Sequence, residues 1–130
     1  MDRTATKDFF LYTIPPFAYA GLVFYLSSLP SWKIKAAAAF PDYLLHFIEY
    51  AVFAWLAFRF ARYLSKDPLK GKHYLLVFII LSFFAVTDEF HQSFVPGRTA
   101  SVWDFLADFA GIAASAGIYR SRYKYKNMRE

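Results

Sequence analysis

Long apolar segments constrain the fold of this chain more than any other feature. Residues 9–28 contain no charged side chain, and a helix needs about 20 such residues to cross a bilayer. The segments 42–64, 74–90 and 101–119 are also long and largely apolar. We therefore predict an all-α integral membrane protein, a four-helix bundle with helices at about these four segments, in a single domain of residues 1–130.

Prolines and glycines mark the expected interruptions. Pro15 and Pro16 lie inside the first apolar segment and predict a kink, because proline lacks the N–H group that an α-helix uses. Pro96 and Gly97 predict a turn before the last helix. Residues 31–41 are expected to form a loop with one short helical turn at 36–39, and the basic tail from Arg120 is expected to be frayed.

The composition agrees with a membrane location. Hydrophobic residues make up 58% of the 130 residues, above the roughly half that is usual in soluble domains. The 16 Phe and 10 Tyr are too many for a soluble core of this size. The chain has no Cys, which excludes a disulfide framework and a thiolate metal site.

The distribution of basic residues indicates the orientation. With four spans, 12 of the 15 Lys and Arg residues would share one side of the membrane, and only Lys33, Lys35 and Arg98 would lie on the other. Both termini are therefore predicted to be cytoplasmic. The net charge of +5 is explained by this bias, so we expect no nucleic-acid partner.

Acidic residues follow the opposite distribution. Six of the 10 Asp and Glu residues fall near the outer ends of the last three helices. Ionisable groups beside hydrocarbon are costly and usually functional, so we predict a polar site on the extracytoplasmic side. Its candidate catalytic residues are His46, Asp88, His91 and Asp104. Its candidate substrate-binding residues are Asp42, Glu49, Tyr50, Glu89, Gln92, Arg98 and Asp108.

Helical spacing predicts which of these side chains share a face. Asp42 and His46 are four residues apart and lie on one face. Asp88, His91 and Gln92 share a face of the third helix. Glu89 is expected to point elsewhere, towards the lipid head groups.

Purely structural roles are the alternative for several of these residues. Asp42 is placed to cap a helix after Pro41, and Ser101 with Asp104 fits a capping box. Asp108 lies one turn deeper and needs a cation, a proton or a donor, for which Arg98 is the expected partner. The whole set could also be a network of ion pairs that closes the bundle.

A metal site is a further alternative for the acids and histidines. Carboxylates and imidazole bind divalent cations, but the sequence contains no compact metal-binding motif. We therefore assign no residue as a metal ligand and leave the cofactor open. A glycine-rich phosphate loop and a recognisable serine nucleophile motif are also missing from the sequence.

Two ordered motifs resemble those of VanZ-like proteins. Asp42, His46 and Tyr50 match a D-x-x-x-H-x-x-x-Y segment. A second signature follows later in the chain and comprises Asp88, Glu89, Gln92, Pro96, Gly97, Arg98, Asp104 and Gly111. Ser28-Leu29-Pro30, near the end of the first helix, is a third point of similarity. The resemblance spans about residues 20–117, with Asp108 where many members have Asn.

The resemblance implies a four-helix protein of the bacterial inner membrane and cell envelope, in a family associated with low-level resistance to the glycopeptide antibiotic teicoplanin. Three functions fit the predicted polar site. The protein could act on or bind a lipid-linked or phosphate-bearing envelope amphiphile, such as a cell-wall precursor. It could bind or transport lipid, protons or ions, or it could be a structural accessory protein. Membrane lipids are its expected partners in each case, and the oligomeric state is left open.

Overall fold

The computed structural model describes residues 3–37 and 40–127, with side-chain surroundings for residues 6–34 and 40–123. Over this part of the chain every regular element is a helix, which confirms the all-α class. The elements are α1 (Arg3–Asp8), a π-helical turn (Phe9–Thr13), α2 (Ile14–Ser27), α3 (Ser31–Ala37), α4 (Asp42–Ser65), α5 (Gly71–Gln92) and α6 (Val102–Asn127).

The first long helix is interrupted where its prolines remove hydrogen-bond donors. Pro15 and Pro16 cannot donate to the carbonyl groups one turn earlier, which belong to Leu11 and Tyr12. The chain forms a wider π-helical turn at Phe9–Thr13 and continues as α2. A helix irregularity thus lies one turn before the prolines, and the kink predicted at Pro15 and Pro16 stays a prediction.

Helix α4 is the centre of the fold and packs against α2, α5 and α6. Its closest neighbour is α6, because Gly111 brings the two backbones together. A Cβ atom at Gly111 would overlap the carbonyl group of Phe47 and would lie 3.0 Å from the amide nitrogen of Ala51. Small residues permit this type of close helix packing in membranes.

The core is aromatic and lies between α4, α5 and α6. Tyr50 and Phe58 of α4 and Ile112 of α6 are fully buried, and Tyr119 packs against Phe58 with ring centroids 5.5 Å apart. Many other large apolar side chains face outwards, as expected of a lipid-facing surface; on α2 and α5 they include Phe17, Phe24, Leu75, Leu76, Ile79, Ile80 and Phe83.

Several predicted boundaries were wrong. Helix α5 extends the predicted segment at both ends, and α6 continues to Asn127, so the tail expected to fray from Arg120 is helical over the described residues. The loop before α4 contains a longer helix, α3, which begins at Ser31. Residues 38 and 39 of the expected helical turn lie outside the described part of the chain.

Three helical segments in the described part of the chain are long and apolar enough to cross a membrane. They are Thr6–Ser27, Asp42–Ser65 and Gly71–Gln92. Helix α6 is longer than these three segments but more polar, since it carries two acids near its start and a basic C-terminal end. The membrane character predicted from the sequence therefore rests on the first three segments.

Candidate functional site

The side chains of His46 and Asp108 meet inside the protein. Nδ1–H of His46 donates to Asp108 Oδ1 over 3.0 Å. His46 is 3% exposed and Asp108 is 0% exposed, so water does not screen this contact. Since His46 lies on α4 and Asp108 on α6, the close backbone approach at Gly111 brings the pair into reach. Asp108 was expected to pair with Arg98, and that expectation was wrong.

Glu89 belongs to the same buried group. Its Oε1 atom lies 3.7 Å from His46 Nδ1, and its Oε2 atom accepts a hydrogen bond of 3.2 Å from the backbone N–H of Ser101. The expectation that Glu89 points towards the head groups was wrong. In the capping box that was the structural alternative for Asp104, the Ser101 amide would bond to Asp104; here it donates to Glu89.

A second chain of hydrogen bonds runs from Asp88 to Arg98. Gln92 Nε2 donates to Asp88 Oδ2 over 3.0 Å, and Arg98 Nη2 donates to Gln92 Oε1 over 2.9 Å. Arg98 Nη1 also lies 3.5 Å from the carbonyl oxygen of Leu26 at the end of α2. The amide of Gln92 therefore links the guanidinium group of Arg98 to the buried carboxylate of Asp88.

The turn predicted at Pro96-Gly97 directs Arg98 into this position. The Arg98 amide donates to the Val95 carbonyl over 3.1 Å, and Gly97 has a positive φ of 76°. A Cβ atom at Gly97 would lie 2.7 Å from Ser31 Oγ. The position thus favours glycine both for its backbone conformation and for its contact with α3.

Two cavities adjoin at Arg98. The larger, of about 970 Å³, extends between α3, α4 and the start of α6. The smaller, of about 280 Å³, reaches inwards along α4 to His46 and Glu49. Both are lined by Asp42, Gln92 and Arg98, so the guanidinium group lies where the two spaces meet.

Glu49 and Tyr50 lie deeper on α4. Glu49 lines the smaller cavity, and its buried Oε1 atom has no hydrogen-bond partner among the described residues. The hydroxyl group of the fully buried Tyr50 has none there either. Both residues therefore lie close to the polar cluster, which comprises His46, Asp88, Glu89, Gln92 and Asp108. The cluster supplies no hydrogen-bond partner for these two oxygen atoms.

The remaining predicted site residues are more peripheral. Asp42 is exposed in the first turn of α4, and the N-cap position that was the structural alternative for it is occupied by Pro41. Asp104 is half-buried and lines the larger cavity. His91 is turned away from the cluster: its ring stacks on Phe24 at 4.6 Å, and its Nε2–H donates to Ser28 Oγ over 3.0 Å.

Negative charge dominates this region. Glu49, Asp88, Glu89 and Asp108 are buried or half-buried, and Asp104 lies beside them on α6. Arg98 is the one Lys or Arg side chain that hydrogen-bonds to a member of the cluster, among the described residues. Buried charges need partners, and His46 and Arg98 can supply at most two positive charges to these five acidic residues.

Sequence reasoning missed two kinds of contributor. The Ser101 amide that holds Glu89 is a backbone group, and no side-chain pattern marks it. Ser27 and Tyr19 line the smaller cavity from α2. The serine pair at the end of the first helix was a signal for this position, but only the alignment of α2 with α5 shows which serine faces the cavity.

Comparison with known proteins identifies the family of this chain. A family model described as VanZ/LLP1 matches residues 9–123, which includes every residue of the cluster and both cavities. No curated protein and no solved structure gave a significant match.

Proposed function

This chain belongs to the VanZ/LLP1 family, and we propose that it is a bacterial envelope protein whose polar site binds a phosphate-bearing membrane amphiphile. A lipid-linked cell-wall precursor is the proposed ligand class. Its phosphate would lie against Arg98, and its hydrocarbon chain would lie along the apolar wall of the larger cavity. Binding of such a precursor is also the proposed link to glycopeptide resistance.

The state of Arg98 carries this proposal. Its guanidinium group hydrogen-bonds to two neutral acceptors, the side-chain carbonyl of Gln92 and the backbone carbonyl of Leu26. The ion pairs found among the described residues join His46 to Glu89 and Asp108 and do not include Arg98. A permanently charged group that makes no direct ion pair can still receive an anion, and its planar fork matches phosphate.

The larger cavity suits an amphiphile. Its volume of about 970 Å³ is within the usual range of roughly 300–1,000 Å³ for small-molecule sites. Phe47, Leu44 and Leu106 supply apolar lining, and Trp103 lies at the start of α6. A cationic anchor together with an apolar wall is what an amphiphile with an anionic head group requires.

We also propose that α6 is a fourth span and that both termini are cytoplasmic. The 12 to 3 distribution of basic residues supports this orientation, because positive residues remain on the cytoplasmic side. The polar site would then lie at the extracytoplasmic leaflet, where the head groups of lipid-linked precursors face the outside of the cell.

Binding by the full-length protein in lipid nanodiscs tests the proposal. A polyprenyl diphosphate is titrated beside the polyprenol with the same chain, which differs only in lacking the phosphates. We expect the diphosphate to bind at least about 10-fold more tightly, as a charged hydrogen-bonded contact implies. Equal affinity for the two lipids would overturn the proposal.

Variants at Arg98 complete the test. Arg98→Gln should lose about 10- to 100-fold in diphosphate affinity, while Lys33→Gln, which removes an exposed charge near the same cavity, should bind as the wild type does. Released phosphate is measured in the same samples. Phosphate release that depends on Arg98 would show that the protein is an enzyme. Diphosphate binding without phosphate release would show that it is a binding protein. If Arg98→Gln leaves the diphosphate affinity unchanged, both alternatives are contradicted.

A further inference from the structure

We propose that His46, Glu89 and Asp108 form a three-ligand site for a divalent transition-metal ion such as Zn²⁺. Each residue offers one ligand atom, and the three atoms lie within 4.8 Å of one another. All three residues are buried. This inference stands apart from the proposed lipid ligand, because none of the three residues needs to contact the phosphate.

The spacing of the ligand atoms fits an ion of this type. His46 Nδ1 lies 3.0 Å from Asp108 Oδ1 and 3.7 Å from Glu89 Oε1. Ligands at about 2.1 Å from a tetrahedral ion are separated by roughly 3.4 Å. The ion would replace the proton on Nδ1 of His46, with only small side-chain movements.

Buried carboxylate oxygens without hydrogen-bond partners are the second observation that supports a metal site. Asp108 is completely buried, and its Oδ2 atom has no hydrogen-bond partner among the described residues; Glu89 Oε1 has none either. A buried carboxylate oxygen without a partner is costly. A cation bound by Glu89 Oε1 and by both carboxylate oxygens of Asp108 would satisfy both of these atoms.

Outer contacts orient these ligands as expected for a metal site. The Ser101 amide holds Glu89 Oε2, which fixes the carboxylate and leaves Oε1 directed at His46. Hydrogen bonds of this kind to the free atoms of metal ligands are common and tune affinity. The three ligands come from α4, α5 and α6, so one ion would join three helices at one end of the bundle.

The charge of the cluster favours a divalent ion. Glu89 and Asp108 are buried together with Asp88 and Glu49 nearby, and an ion of charge +2 would offset the two carboxylates that bind it. The imidazole ligand favours a transition metal over Mg²⁺ or Ca²⁺, which prefer oxygen ligands. Three protein ligands leave a fourth position, and His46 borders the smaller cavity, which gives this position an entrance.

Metal titration of the full-length, chelator-treated protein in detergent tests the inference. ZnCl₂, MnCl₂ and MgCl₂ are titrated separately, and bound metal is measured by mass spectrometry. We expect one equivalent of Zn²⁺ or Mn²⁺ per chain and a higher melting temperature with the bound ion. Wild-type protein that binds neither ion, or binds only Mg²⁺, overturns the inference without any variant.

Three variants separate this site from adventitious binding. Glu89→Gln and Asp108→Asn should weaken Zn²⁺ binding at least about 100-fold. His73→Gln removes a histidine at the opposite end of α5 and should bind as the wild type does. Loss of the bound equivalent in His73→Gln, or its retention in both carboxylate variants, shows surface binding and overturns the site. If the protein fails to bind the metal ion but still binds the lipid in a phosphate-dependent way, the metal site is excluded and the proposed function is retained.

Discussion

His46 and Asp108 form a buried hydrogen bond of 3.0 Å between α4 and α6. The contact lies on the same pair of helices as the close approach at Gly111. Packing and polar recognition thus act on one helix pair, and the two contributions can be measured separately.

Removal of His46 alone should be more harmful than removal of the pair. In His46→Leu the buried Asp108 loses its donor, and we expect a loss of about 3–5 kcal/mol in the free energy of unfolding. The double variant His46→Leu/Asp108→Leu should be clearly more stable than that single variant, because it also removes the carboxylate that the single variant leaves without a donor. Unfolding by titration with a denaturing detergent measures both; equal instability of the two would show that the pair is not coupled.

Two glycines in α6 give a matched test of helix packing. Gly111→Ala should destabilise the protein by about 1–3 kcal/mol, because its Cβ atom overlaps the Phe47 carbonyl group and overpacking costs that much. A Cβ atom at Gly117 would meet no atom of another described element within 4 Å, so Gly117→Ala should leave the melting temperature unchanged or slightly higher. Similar melting temperatures for the two variants would contradict the close contact between α4 and α6.

The proposed orientation can be measured in whole cells. The chain has no Cys, so Lys33→Cys and Lys70→Cys each introduce a single reactive thiol at an exposed position. A membrane-impermeant maleimide should label position 33 in intact cells, and position 70 only after permeabilisation. Labelling of position 70 from outside would refute four spans with cytoplasmic termini.

Arg98→Lys tests whether geometry or charge matters at the junction of the cavities. Lysine keeps the charge but cannot bind phosphate through a planar fork. We expect normal membrane abundance and melting temperature, together with loss of glycopeptide resistance in a strain that depends on this protein. The three quantities are measured together. Resistance that falls only in proportion to protein abundance would assign Arg98 to the contact between Gln92 and α2.

The polar cluster shows what helical periodicity can and cannot predict. The sequence identified the helices that carry acids and histidines and placed these residues at one end of them. It also predicted that Asp88 and Gln92 share a face, and their hydrogen bond confirms this. Periodicity does not tell which helix lies opposite each face.

That limit explains the errors at Glu89 and His91. Glu89 is rotated away from Asp88 on α5, and the direction that was expected to face lipid is occupied by α6 and the Ser101 amide. His91 lies three residues after Asp88 and was expected on the same helix face, but its side chain contacts Phe24 and Ser28 of the α2 region. Both outcomes depend on tertiary packing, which local spacing does not encode.

The bond from the Ser101 amide to Glu89 does not depend on the side chain at position 101. Only the backbone N–H takes part, so every residue except one can form it. Proline alone removes that hydrogen. In a saturation library at this position, proline would therefore be the one substitution that abolishes the bond to Glu89, a signature of a contact that leaves no trace in the choice of side chain.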